Sequence, residues 1–193
     1  MKKTMIIAFS MLALAANADN KTQREKEVRR GERIFITKNK TSIFKNNDGS
    51  RSEFVEVYDK AQWDRFKNEY ESKGESGGAN MVRITTTDSE LKAIIRRVFT
   101  DAEIKKYDNP KIFCLAGLDP RGSIIAFRVA YKKTDTPDIP EDKLIELQQA
   151  FASSLKYRVL SDKAPYYSFG FVLHIDRAFT NMPMFPPKGY KKP

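Results

Sequence analysis

From residue 81 onward the apolar positions switch between two spacings. In "IIAFRVAYK", residues 124–132, they alternate: Ile125, Phe127, Val129 and Tyr131 fall on one strand face, with Ile124, Ala126, Arg128 and Ala130 on the other. "YYSFGFVLHID" alternates in the same way and puts Tyr167, Phe169, Phe171, Leu173 and Ile175 together. Before and between these strands the period lengthens. Leu91, Ile94, Ile95 and Val98 share one helical face behind Thr87-Asp88-Ser89-Glu90, a helix start. Thr100 with Glu103 opens a further short helix that Asn109-Pro110 ends. Pro140 opens another, with Glu141 and Asp142 in its first turn and Leu144, Leu147, Phe151 and Leu155 as its buried stripe.

Adding the short strand "MVRITTT" gives the order strand, helix, strand, strand, helix, strand. The expected fold class is therefore α+β: an antiparallel sheet with helices packed on one face, preceded by a small N-terminal hairpin plus helix. The two central strands are joined through "GLDPRGS", where Asp119-Pro120-Arg121-Gly122 has the residues of a tight turn. The N-terminal part reads as strands around Asn47-Asp48-Gly49, a turn signal, and then a helix. Asp59 with Gln62 resembles a capping box there, and Trp63, Phe66 and Tyr70 form an aromatic stripe of the kind that packs into a core.

Composition shifts divide the chain further. Residues 1–18 read as a signal peptide: Lys2 and Lys3, the apolar "MIIAFSMLALA", and Ala16-Asn17-Ala18 as an A-x-A cleavage site before Asp19. Residues 19–32 are charged and expected to be flexible; residues 33–72 carry the N-terminal hairpin and helix. The Gly/Ser-rich stretch 73–80 is a linker, 81–179 the α+β domain, and 180–193 a Pro-rich basic tail. The expected product is exported, periplasmic or secreted, with no stable membrane insertion once the leader is cleaved.

Charge and cysteine narrow the classes. Without Lys2 and Lys3 the chain has 33 basic and 25 acidic residues, a net charge of +8. That balance favours anionic partners. The basic residues come as scattered pairs such as Arg29-Arg30, Arg96-Arg97 and Lys132-Lys133, without a nucleic-acid-binding signature, so nucleic acid is not an expected partner. Cys114 is the sole cysteine, inside the apolar "KIFCLAGL", and reads as an inert buried thiol.

Candidate chemistry is sparse. "GESGG", residues 74–78, matches G-x-S-x-G around Ser76, but the strand-then-helix context of a nucleophile elbow is reversed here. The sole histidine, His174, has no Cys or His at ligand spacing, so no metal or cofactor is expected. Glu141-Asp142 and Glu53/Glu56 fit a helix start and a solvated strand face. The expectation is a protein that catalyses nothing. A one-sided sheet instead leaves an open face and two edges, and an edge accepts a partner strand through main-chain hydrogen bonds. Arg128, Tyr166, Val172 and His174 are the candidate binding residues on that open face, with 166–176 the candidate edge. The expected partner is a protein or peptide of the cell envelope. The alternative is an anionic surface glycan or lipopolysaccharide held by the basic surface; a hydrolase using Ser76 comes third.

Residues 82–179 resemble the C-terminal domain of TonB-type proteins. "IFCLAGLDPRGSIIAFRV" is similar to that family's hairpin, "IPEDKLIELQQAFASSLKY" to its second helix and "YYSFGFVLHI" to its closing strand. The resemblance implies the same fold, and a strand that pairs with a short segment of an outer-membrane transporter. A cleavable leader replaces the family's membrane anchor and the long Pro-rich spacer is missing, so energy transduction is not implied. The chain also resembles small exported proteins of unknown function from Bacteroides-type bacteria.

Overall fold

The computed structural model describes residues 25–45, 49, 51–107, 111–133, 139–161 and 163–175. Residues 1–18, read above as a signal peptide, and 180–193, read as a tail, lie outside the described residues. No helix among the described residues is long and apolar enough to cross a membrane.

The protein is α+β. Strands β1 (Glu25–Arg30), β2 (Arg33–Lys45), β3 (Arg51–Asp59), β5 (Lys111–Leu118), β6 (Ile124–Lys132) and β8 (Tyr167–His174) form one six-stranded sheet in the order β1-β2-β3-β6-β5-β8. Every pairing in it is antiparallel. The N-terminal strands therefore extend the main sheet: Val57 lies opposite Val129, and Tyr58 opposite Arg128. At the expected turn between β5 and β6, the Asp119 carboxylate accepts from the amides of Arg121 at 2.9 Å and Ser123 at 2.8 Å.

Three helices cover one face: α2 (Asp88–Val98), α3 (Asp101–Lys106) and α4 (Glu141–Ser154). Their starts are where the sequence puts them. Thr87 and Glu90 cap α2 reciprocally, Thr100 and Glu103 do the same for α3, and each pair satisfies main-chain groups a helix end leaves orphaned. The apolar stripes Leu91, Ile94, Ile95, Val98 and Leu144, Leu147, Phe151 press onto Ile112, Cys114, Phe127 and Val129 of the sheet. Cys114 is buried, and burial pushes its thiol well up.

Two elements differ from the expected arrangement. "MVRITTT" does not join the main sheet: β4 (Val82–Ile84) pairs with β7 (Tyr157–Val159) as a separate two-stranded ribbon. The place beside β6 goes to β3, which has nine residues to β4's three and so forms a longer ladder. Residues 25–30, within the stretch expected to be flexible, form strand β1. Its charges make this consistent, because Lys26 reaches Glu141 at 3.1 Å and Arg30 reaches Asp142, tying β1 to the first turn of α4.

Helix α1 (Lys60–Glu69), started by Asp59 accepting from the Gln62 amide at 3.1 Å, packs on the opposite face of the sheet. Trp63 and Phe66 make a second apolar cluster there with Ala126 and Tyr166. Gly117 of β5 admits the helix: a Cβ at that position would lie 2.6 Å from the Phe66 ring.

Candidate functional site

The sheet has two edges of opposite character. Strand β1, "EKEVRR", is charged along its length, and charge discourages pairing with another chain. Strand β8, "YSFGFVLH", carries no Asp, Glu, Lys or Arg. Its register against β5 places Phe169 opposite Ala116 and Phe171 opposite Cys114.

The chain already uses the outer side of β8. The Gly77 amide donates to the Tyr166 carbonyl at 2.9 Å, and the Ser168 amide donates to Ser76 Oγ at 2.9 Å. Gly77 thereby bridges Tyr167 in the parallel sense. A side chain at 77 would not fit, since a Cβ would fall 2.1 Å from the Tyr167 ring. Because the Ser168 amide points outward, the period of the strand turns the main-chain groups of Gly170, Val172 and His174 outward too. No main-chain hydrogen bond between described residues uses those groups.

The face expected to be open is divided. Helix α1 covers the half nearest the β5–β6 turn, and two of the four candidate residues lie beneath or beside it. Tyr166 is 8% exposed, its ring edge-on to Phe66 at 5.3 Å. Arg128 is 8% exposed, its guanidinium 4.8 Å above the Trp63 ring and its Nη1 2.8 Å from Glu56 Oε1. Neither offers a free binding surface. Val172 remains half-buried on the uncovered half, in register with Phe113, which meets Phe54 edge-on at 5.6 Å. His174 stands opposite Lys111; its side chain lies outside the described residues.

Glu56 is a correction to the sequence reading. Expected on a solvated strand face, it is 1% exposed and holds both Arg128 and, at 2.5 Å, Lys40 Nζ. Burial by itself raises a carboxyl, but Arg128 and Lys40 outweigh it and hold Glu56 below the usual carboxylate range. Burial likewise lowers Lys40, and raises the nearby Tyr58 to about 12. The signal that could have found this group was Arg128 itself. A charge among the alternating positions of a central strand needs an opposite charge on a neighbouring strand.

Ser76 serves the edge: its hydroxyl accepts from the Ser168 amide and donates to the Gly77 carbonyl at 3.1 Å. Among the described residues no three His, Cys, Asp or Glu side chains are grouped to hold a metal ion.

No family model and no curated protein matches this chain. Among solved structures, a DUF5043 family protein from Bacteroides uniformis ATCC 8492 aligns with a TM-score of 0.56 and 14% sequence identity, over 87% of this chain and 93% of that one. The two share a fold. That likeness sits with the resemblance to Bacteroides-type proteins of unknown function, and it is silent on the TonB-type domain.

Proposed function

We propose that the chain is a non-enzymatic interaction protein, exported to the cell envelope, that takes an extended segment of a partner alongside β8. The observation that carries this reading is the contrast between edges. β8 is uncharged and its outward groups from Gly170 to His174 are unused among described residues, while β1 is charged and tied to α4. Residues 76–77 pair with the start of the same edge, so it accepts main-chain partners from outside the ladder. The resemblance to TonB-type domains supports the same mode of recognition, and the leader-like residues 1–18 support export. The basic-surface alternative has weaker support, because Lys38 and Lys40 are engaged by Glu25 and Glu56.

The test is selection from a phage-displayed peptide library on the full chain, repeated with Val172→Pro. Proline at 172 removes an outward amide and leaves the bonds to β5 intact. Peptides selected on the parent should bind the variant about tenfold or more weakly, the scale of a lost hydrogen bond with its neighbours. Equal binding to both proteins refutes the edge as the site.

A further inference from the structure

A cavity of ≈ 750 Å³ lies on the helix-covered face of the sheet, between the β2–β3–β6 strands and the start of α4. Its size is that of a small-molecule site. Val55, Tyr131, Ile139 and Leu144 supply apolar wall. Two polar features converge on it. Thr37, 7% exposed, lines the cavity, and its Oγ1 finds no hydrogen-bond partner among the described residues. Buried hydroxyls are nearly always satisfied, so an orphan beside a cavity points to a ligand group that would satisfy it.

The second feature is the N-terminus of α4. The helix has 14 residues, enough for a developed dipole, and Pro140 at its N-cap has no side chain able to accept from the first-turn amides. Helices α1, α2 and α3 each have a side-chain acceptor at that point. Pro140 and Glu141 both line the cavity. An anion is the natural partner of such amides.

The walls also restrict which anion. Lys133 and Lys26 sit at the cavity, but Lys26 is held by Glu141 at 3.1 Å, and Glu25 lies nearby. Lys133 and the helix start match one negative charge; among the described residues the other cation at the cavity, Lys26, is already taken by Glu141, so a second negative charge would have no partner. We propose that this cleft binds a small amphipathic monocarboxylate, with its carboxylate at the Thr37 hydroxyl and the open amides of α4 and its apolar body against Val55, Tyr131, Ile139 and Leu144. The site is separate from the β8 edge and stands whether or not that edge binds a peptide.

The experiment is an amide-shift titration of the full chain by NMR with sodium octanoate, using octan-1-ol as the uncharged probe. Octanoate should give saturable shifts at Thr37 and at Glu141 to Lys143, and octanol should bind about tenfold more weakly, the scale of hydrogen bonds to a charged group. Thr37→Val keeps the side-chain shape and removes the hydroxyl. It should weaken octanoate about tenfold and leave octanol unchanged. Lys133→Ala, on the rim, should weaken octanoate several-fold and abolish its salt dependence. Absent or non-saturating shifts at these amides, equal binding of the two probes, or an unchanged octanoate affinity in both variants would each overturn the assignment.

Discussion

Glu56→Gln isolates the buried charge cluster on the outer face. The carboxylate stands 2.5 Å from Lys40 Nζ and 2.8 Å from Arg128 Nη1. At an effective dielectric of about 20, each contact gives roughly 6 kcal/mol of gross attraction, much of it offset by the several kcal/mol needed to desolvate each ion. Glutamine keeps the volume but leaves two cations facing each other. Breaking a buried pair in this way costs about 3–5 kcal/mol. The Lys40 side chain, 20% exposed, can turn toward water, which places the expected loss near the lower bound, about 3 kcal/mol. For a domain of this size that is a fall in Tm of about 6–12 °C. Urea unfolding followed by Trp63 fluorescence reads it directly, because Trp63 is the sole tryptophan and lies under Arg128. The folded carboxyl is held below its ordinary value, so its contribution is complete above the unfolded-state value near 4.3 and is lost as pH falls through the folded one. The stability gap between parent and variant should therefore be full at pH 7 and close progressively under acid. A loss below about 1 kcal/mol at pH 7, or a gap that persists at the acid end, refutes the reasoning.

Two further outcomes follow from the packing and the caps. Gly117→Ala drives a methyl to within 2.6 Å of the Phe66 ring and should destabilise by about 1–3 kcal/mol in the same urea assay, with most of that cost relieved in a Phe66→Leu background; a cost independent of residue 66 refutes the α1 contact. Glu90, bonded first by Lys156 and then by the amide and hydroxyl of Thr87, is pulled down to about 2, so an NMR titration of its carboxyl should show a midpoint there, and Lys156→Met should raise it. The contribution of that carboxylate is present above the ordinary glutamate range and fades as pH approaches its folded midpoint; a normal midpoint in the parent would discard the reciprocal cap.

What could be read from the chain was what neighbouring residues determine among themselves. Thr87 with Glu90, Thr100 with Glu103 and Asp59 with Gln62 are three residues apart, and all three caps form. The alternation in β6 and β8 likewise gave the faces of Phe127, Val129, Phe171 and Leu173. Contacts between distant segments were not readable. Glu56 looks solvated until β3 is laid beside β6, which brings Arg128 to it. The six charged or polar-flanked residues of β1 look unstructured until Glu141 and Asp142 arrive from α4. The aromatic stripe of α1 announced that Trp63 and Phe66 would be buried, but not that they would close half of the face carrying Arg128 and Tyr166. Of the binding candidates, Val172 stands on the half of that face that α1 leaves, and the strand it belongs to, 166–176, was a candidate edge in the sequence, but its place at the end of the sheet follows only from the strand order. Thr37 gave no signal, since an unsatisfied hydroxyl exists only once the strands around it are in place.

The β3–β6 ladder has a consequence for the life of the chain at high concentration. It is the one strand pairing that joins the β1–β2–β3 meander to the rest of the sheet, and it links segments separated by everything from Asp59 to Ile124. The connection between those halves runs through the Gly/Ser-rich stretch 73–80, pinned to β8 by the bonds of Ser76 and Gly77. If those bonds open together with the β1–α4 ion pairs and the packing of Phe35, Val57 and α1, the meander and α1 can dock as a unit on β6 of a second copy, remaking the same ladder and the same Glu56–Arg128 pair between chains. Such domain exchange requires no new contact, only a connection that can reorient and a seam, and the β3–β6 ladder is that seam.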